Sequence, residues 1–348
     1  MKFKLISTAI IATLLANTAI FALSDNRGAK TKKRQADRLV AMLPASDAAA
    51  VFDARQLFDT ALPQVLSSNQ PMLEHIMSHV DLIKDRMGID VKKFDRVAIG
   101  VSYVEGTAGK TDYAPVAIAT ATDFNFGALI AAAKIATDGG YRNETIAGKQ
   151  VSVFKIDATK IPQKPNTSAK VNSVIDQISQ TEFAAVAIDR TTLVIGTLPR
   201  VRETLVGRSH LGGDIASLLA AQDKGILSFA LKPPGGMAKL LPLQSDELGK
   251  TLDSIRVIAG GLKVDANGGA LHVVARTGSA GDALSLRDTV EVGQSFGKIA
   301  FAGKKRPDQL VYARLINSAR IDNKGTDVTV DVNIAQADID VLIASLKK

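Results

Sequence analysis

Asn323-Lys-Gly325-Thr-Asp-Val328-Thr-Val330-Asp-Val332-Asn-Ile334 sets a tight turn in front of an unbroken alternation of apolar and polar residues. A period of two puts Val328, Val330, Val332 and Ile334 on one face and Thr329, Asp331 and Asn333 on the other, which marks a half-buried strand. Before the turn, Val311, Ala313, Leu315, Ala319 and Ile321 read as the partner strand. A hairpin of this kind forces antiparallel neighbours, because parallel strands need a long crossover. The pattern recurs upstream. Strands over 255–264 and 270–276 join across Asn267, Gly268 and Gly269; strands over 141–146 and 150–156 join across Gly148 and Lys149; and those over 183–188 and 192–195 turn at Asp189 and Arg190. Val97, Ile99, Val101 and Tyr103 open another strand, followed by one over 113–122.

Between the hairpins lie helical spacings. Met72, Leu73, Ile76, Met77, Val80, Ile83 and Met87 define an amphipathic helix over 71–87, stopped by Gly88. Asp53 caps a helix over 54–66 that Pro63 interrupts. Further helices are expected over 124–137, near 171–178, after Pro199, in parts of 233–252, over 282–301 and over 337–346, with a surface loop over 158–169. The fold class is therefore α+β, in two similar halves at 41–211 and 212–348, each a mainly antiparallel sheet with helices packed on one face. The halves share an order of elements but few identical residues, so a duplication is expected.

The chain opens with Lys2 and Lys4, an uncharged apolar run over 5–23, and small residues at Ala22 and Ser24. Residues 1–24 have the layout of an export signal peptide. The run also approaches the roughly 20 residues that span a bilayer, so an uncleaved membrane anchor is the alternative. A basic flexible segment over 25–40 follows, with Arg27, Lys30, Lys32, Lys33, Arg34 and Arg38. Such a segment resists translocation and is attracted to anionic headgroups, so membrane contact is expected through residues 1–38. The expected location is the bacterial periplasm, or the membrane if the leader stays in place.

The net charge of +8 comes largely from these first residues, and the body is close to neutral. With no Trp to stack on bases and no basic face, no nucleic-acid partner is expected. Absence of Cys excludes disulfides, thiolate metal sites, a cysteine nucleophile and a lipid-modified cysteine.

Local motifs that suggest chemistry have plainer readings. Gly106-Thr-Ala-Gly-Lys110-Thr111 ends like a phosphate-binding loop, but Val104 stands where a glycine is required and a strand follows instead of a helix. Gly293-Gln-Ser295-Phe-Gly297 falls inside a helix, away from the strand-to-helix turn its serine needs. Ser152 and Lys155, three apart in a strand, point oppositely. Asp265-Ala-Asn267-Gly268 starts like a calcium loop and reads as a hairpin turn. His75 and His79, four apart on a helix, are the metal candidates, although Arg86 falls between them on the helical wheel. His272 alternates in phase with Arg276, and His210 lies in a polar turn. No cofactor is expected.

Leu43-Pro44-Ala-Ser-Asp47, opening a strand and helix behind the leader, resembles exported bacterial proteins of unknown function built from duplicated α+β units. That resemblance implies no catalytic residue. The expected function is a non-enzymatic exported envelope protein with a binding or scaffold role toward an envelope protein, lipid or apolar ligand. The alternative is a metal-dependent or other hydrolase with a site assembled from distant segments, with His75, His79 and His272 as first suspects.

Overall fold

The computed structural model describes residues 38–87, 90–105, 111–122, 126–127, 140–155, 180–222, 225–233, 246–265 and 267–345. The leader, the turn over 106–110, the loop over 158–169, the helix near 171–178 and most of the helix over 124–137 lie outside the described residues.

The strands are β1 Ala48–Asp53, β2 Phe94–Glu105, β3 Thr111–Ala121, β4 Tyr141–Ile146, β5 Lys149–Lys155, β6 Glu182–Ala187, β7 Thr192–Thr197, β8 Leu227–Leu231, β9 Ile255–Asp265, β10 Gly268–Thr277, β11 Arg320–Lys324 and β12 Asp327–Ala335. The helices are α1 (Ala54–Gln56, a π-turn Leu57–Ala61, and Leu62–Val65), α2 Gln70–Met87, α3 Leu198–Val206, α4 Gly213–Ala221, α5 Asp246–Asp253, α6 Ala280–Phe301, α7 Pro307–Ser318 and α8 Gln336–Ser345. The fold is α+β and antiparallel, as its hairpins require.

Two compact units divide the chain. The first holds the described residues within Arg34–Ser46 and Glu74–Leu211, with strand order β2-β3-β7-β6-β5-β4. The second holds those within Asp47–Leu73 and Gly212–Lys348, with order β1-β8-β9-β10-β12-β11. Each contains the same four-strand arrangement, in which a later hairpin returns its second strand to the second strand of an earlier one. In the first unit this is β2-β3-β7-β6, and in the second β9-β10-β12-β11.

Local causes are visible in the residues. Asp53 caps α1 by accepting from the Gln56 amide at 2.9 Å. Pro63 does not break this helix; the chain reaches it through the wider π-turn, which leaves the proline in the first turn of Leu62–Val65. The β4–β5 turn uses Ala147 and Gly148, both with positive φ. At the β9–β10 turn Gly268 has φ +136°, and a Cβ there would sit 1.9 Å from the Ile334 carbonyl oxygen. Only glycine fits.

One expected element is corrected. The strand over 311–321 is instead α7 through Ser318, and β11 begins only at Arg320. Pro307 favours a helix start, and Val311 and Leu315, four apart, satisfy a helical repeat as well as a period of two. Burial decides between them: Val311 is fully buried and Ile316 packs beside Gly297 of α6.

The core under α6 contains Ala283, Leu286 and Val328, with Leu252, Ile255, Ala275, Val290 and Ile321 against it. Ala275 and Val328 are cross-strand partners, so this is the apolar face of β10–β12 that the alternation at 328–334 marks.

Candidate functional site

Among the described residues of the second unit, the most exposed apolar side chains lie on the outward side of α6. Ser279 starts this helix, accepting from the Asp282 amide at 3.1 Å. Its inner side is fixed by the core described above. Gln294 adds a polar tie, donating from Nε2 to the carbonyls of Ile316 at 2.7 Å and Ala319 at 2.8 Å, where α7 ends and its last carbonyls lack helical partners. Gly297 keeps the two helices close, since a Cβ there would lie 3.2 Å from Ile316.

With the inner side so held, Val292, Phe296 and Ile299 point away from the core at 53%, 68% and 72% exposure. Steps of four and three residues align them on one stripe. A shallow surface depression of about 420 Å³ is lined by Asp288, Glu291, Val292, Ser295, Phe296 and Ile299, all from this one helix. It has no second wall, so it is an open face and not an enclosed cavity. Arg287, bonded to Asp288 at 2.6 Å and to Asn323 at 3.1 Å, borders the acidic end of the stripe, and the Asp288 bond pushes its guanidinium pKa up. Ser295 donates to the Glu291 carbonyl at 2.9 Å within the helix, so it is not on a nucleophile turn.

The metal candidates lie elsewhere. His75 and His79 are exposed on α2 with ring centroids 4.4 Å apart, edge to face. Nδ1 of His79 lies 2.7 Å from the His75 carbonyl oxygen, which can only accept, so Nδ1 is the donor in this contact. The nearby acid Asp81 is paired with Lys92 at 2.7 Å. Among the described residues no group of three His, Cys, Asp or Glu side chains is placed to hold a metal ion.

His272 has a partner. Its Nδ1 lies 2.6 Å from Asp331, and four residues on along the same strand face Arg276 grips Asp327 with two bonds of 2.7 Å. The guanidinium holds the Asp327 carboxyl below the usual aspartate range. These pairs are half-buried or exposed cross-strand ties.

In the first unit, the Leu43–Ser46 stretch has a packing role. Leu43 is fully buried, and Ser46 Oγ donates to the Pro44 carbonyl at 2.8 Å while accepting from Arg200 at 2.6 Å. Arg200, 5% exposed, also bonds Glu203, and its Nε has no partner among the described residues.

With this geometry in view, comparison with known proteins gives a short result. No protein-family model matches the chain, and no curated protein matches its sequence. Solved structures of the bacterial Treponema protein TP0453 are similar in outline. Crystal forms I and III align over 88% of this chain and 97% of that one, at 10% and 9% identity and TM-scores of 0.43. A likeness at that level carries nothing about function. Among the described residues no helix is long and apolar enough to cross a membrane.

Val292, Phe296 and Ile299 were not singled out by sequence reasoning. Their spacing is present in the sequence, but so is that of Leu286, Val290 and Gly297 on the other side, and the pattern alone does not say which side is covered.

Proposed function

We propose that this chain is a non-enzymatic, exported envelope protein that binds an apolar partner through the outward stripe of α6. The observation that carries this is the row Val292, Phe296 and Ile299, exposed on a helix whose opposite side is locked by Leu286, Gln294 and Gly297. Single exposed apolar residues are ordinary; an aligned group on a rigid helix marks a contact surface. The leader over 1–24 supports export to the periplasm, and the repeated four-strand order supports a duplication of the halves 41–211 and 212–348.

The test is replacement of the native gene by one carrying Phe296→Ser and Ile299→Ser. At equal protein level, the double variant is expected to reproduce the envelope defect of a deletion strain. Wild-type behaviour would remove α6 from the function. Sequencing of the mature N-terminus tests the location: a start near Asp25 supports release, and an intact Met1 in the membrane fraction supports anchoring.

A further inference from the structure

The stripe on α6 ends in positive charge. Lys298 lies on the helix just before Ile299, and Lys304 and Lys305 follow in the turn at Gly303. All three lysines are exposed and make no ion pair among the described residues, whereas the neighbouring Arg306 is bound to Asp308 at 2.8 Å. Tyr312, 44% exposed, packs its ring 5.8 Å from Phe301 where α6 ends, on the α7 side of the helix. At the other end, Asp288 and Glu291 share one guanidinium, Arg287, at 2.6 and 3.8 Å, which offsets half of their charge.

An exposed apolar row that runs into unpaired lysines around the end of its helix matches the boundary of an anionic bilayer, where rings and alkyl groups enter the acyl region and ammonium groups meet the headgroups. A second copy of the chain fits less well. A two-fold axis through Ile299 would bring both sets of Lys298, Lys304 and Lys305 together. Three large side chains on one helix also fall well short of the roughly 800 Å² per partner of a standard interface.

We propose that the C-terminal half of α6, with Lys298, Lys304 and Lys305, docks on an anionic lipid bilayer. This rests on the reading of α6 as the binding face and names its partner.

The chain contains no Trp, so Phe296→Trp in the full chain supplies a single indole at an exposed position. The apolar leader can attach the chain to any bilayer, so attachment decides nothing, and the position of the indole does. With vesicles of brominated phosphatidylcholine and phosphatidylglycerol, the F296W emission should shift to the blue and be quenched. With phosphatidylcholine alone both effects should be weak. Adding Lys298→Gln, Lys304→Gln and Lys305→Gln should bring the blue shift and the quenching down to the level seen with phosphatidylcholine alone. Unchanged emission while the chain co-sediments with the vesicles would overturn the proposal. So would a blue shift that grows with protein concentration in the absence of lipid, which would make the face a self-association surface. If the vesicles leave the indole unmoved but the gene replacement above still gives the deletion defect, the binding role of α6 stands and only its lipid partner is wrong.

Discussion

Substituting Gly100 and Ser46, singly and together, tests the packing of the first unit most sharply. A Cβ added at Gly100 would lie 2.5 Å from Ser46 Oγ. That oxygen cannot swing aside, because it donates to Pro44 and accepts from the buried Arg200. Gly100→Ala is therefore an overpacking change that costs about 2 kcal/mol. Ser46→Ala removes one of the two acceptors of a buried guanidinium whose Nε already lacks a partner, and it also costs about 2 kcal/mol. In the double variant the clashing oxygen is gone, and the nearest atoms to the new methyl are Leu43 Cδ2 and the residue-46 Cβ, both at 3.4 Å. The second substitution then adds almost nothing, so the pair should cost about 2 kcal/mol and not the sum of about 4 kcal/mol. Urea unfolding of the four chains, followed by circular dichroism, measures this coupling. Costs that add to within about 0.5 kcal/mol would show that Ser46 Oγ is not pinned where the structure puts it.

Three further outcomes follow from the second unit. Asp327→Asn should cost about 1–2 kcal/mol at neutral pH, since it breaks a two-bond tie to Arg276 that is roughly three-quarters shielded on the Asp327 side. Because Arg276 lowers the folded-state pKa of Asp327, the wild-type advantage should be full above about pH 4 and fade as the pH falls through the folded value, measured as the difference in unfolding free energy against pH. Gly268→Ala should destabilise by about 3 kcal/mol, given its φ of +136° and the 1.9 Å approach to Ile334, and a thermal melt within experimental error of wild type would count against that turn. Phe296→Ser with Ile299→Ser should leave the unfolding free energy in urea within about 0.5 kcal/mol of wild type, since both side chains are mostly in water; a larger loss would mean that they pack against the body.

Much of the sheet was legible because the strands carry their own signal. The alternation at 328–334 placed β12, and the turns at Gly148, Asn267 and Gly325 closed hairpins at or near the observed positions. α7 was not legible in the same way. Val311, Ala313 and Leu315 obey a period of two by coincidence, and only burial against α6 separates the helix from a strand. His272 and Arg276 could be assigned to one side of β10, but their partners Asp331 and Asp327 depend on the register with β12, which alternation leaves open. The tie between Ser46 and Arg200 spans 154 positions and left no local trace. For the candidate site, the helix over 282–301 was readable and its outward side was not, because α6 is apolar on both sides and its coverage is set by α7 and β12.

The central claim is that the outer side of α6 meets a partner in the envelope. A photoreactive amino acid placed at position 296 of the full chain in living cells tests it directly, with position 324 on the charged edge strand β11 as the control. Irradiation should join position 296 to a discrete envelope component, lipid or protein, and leave position 324 unreacted. Equal labelling from both positions, or none from 296, would contradict it.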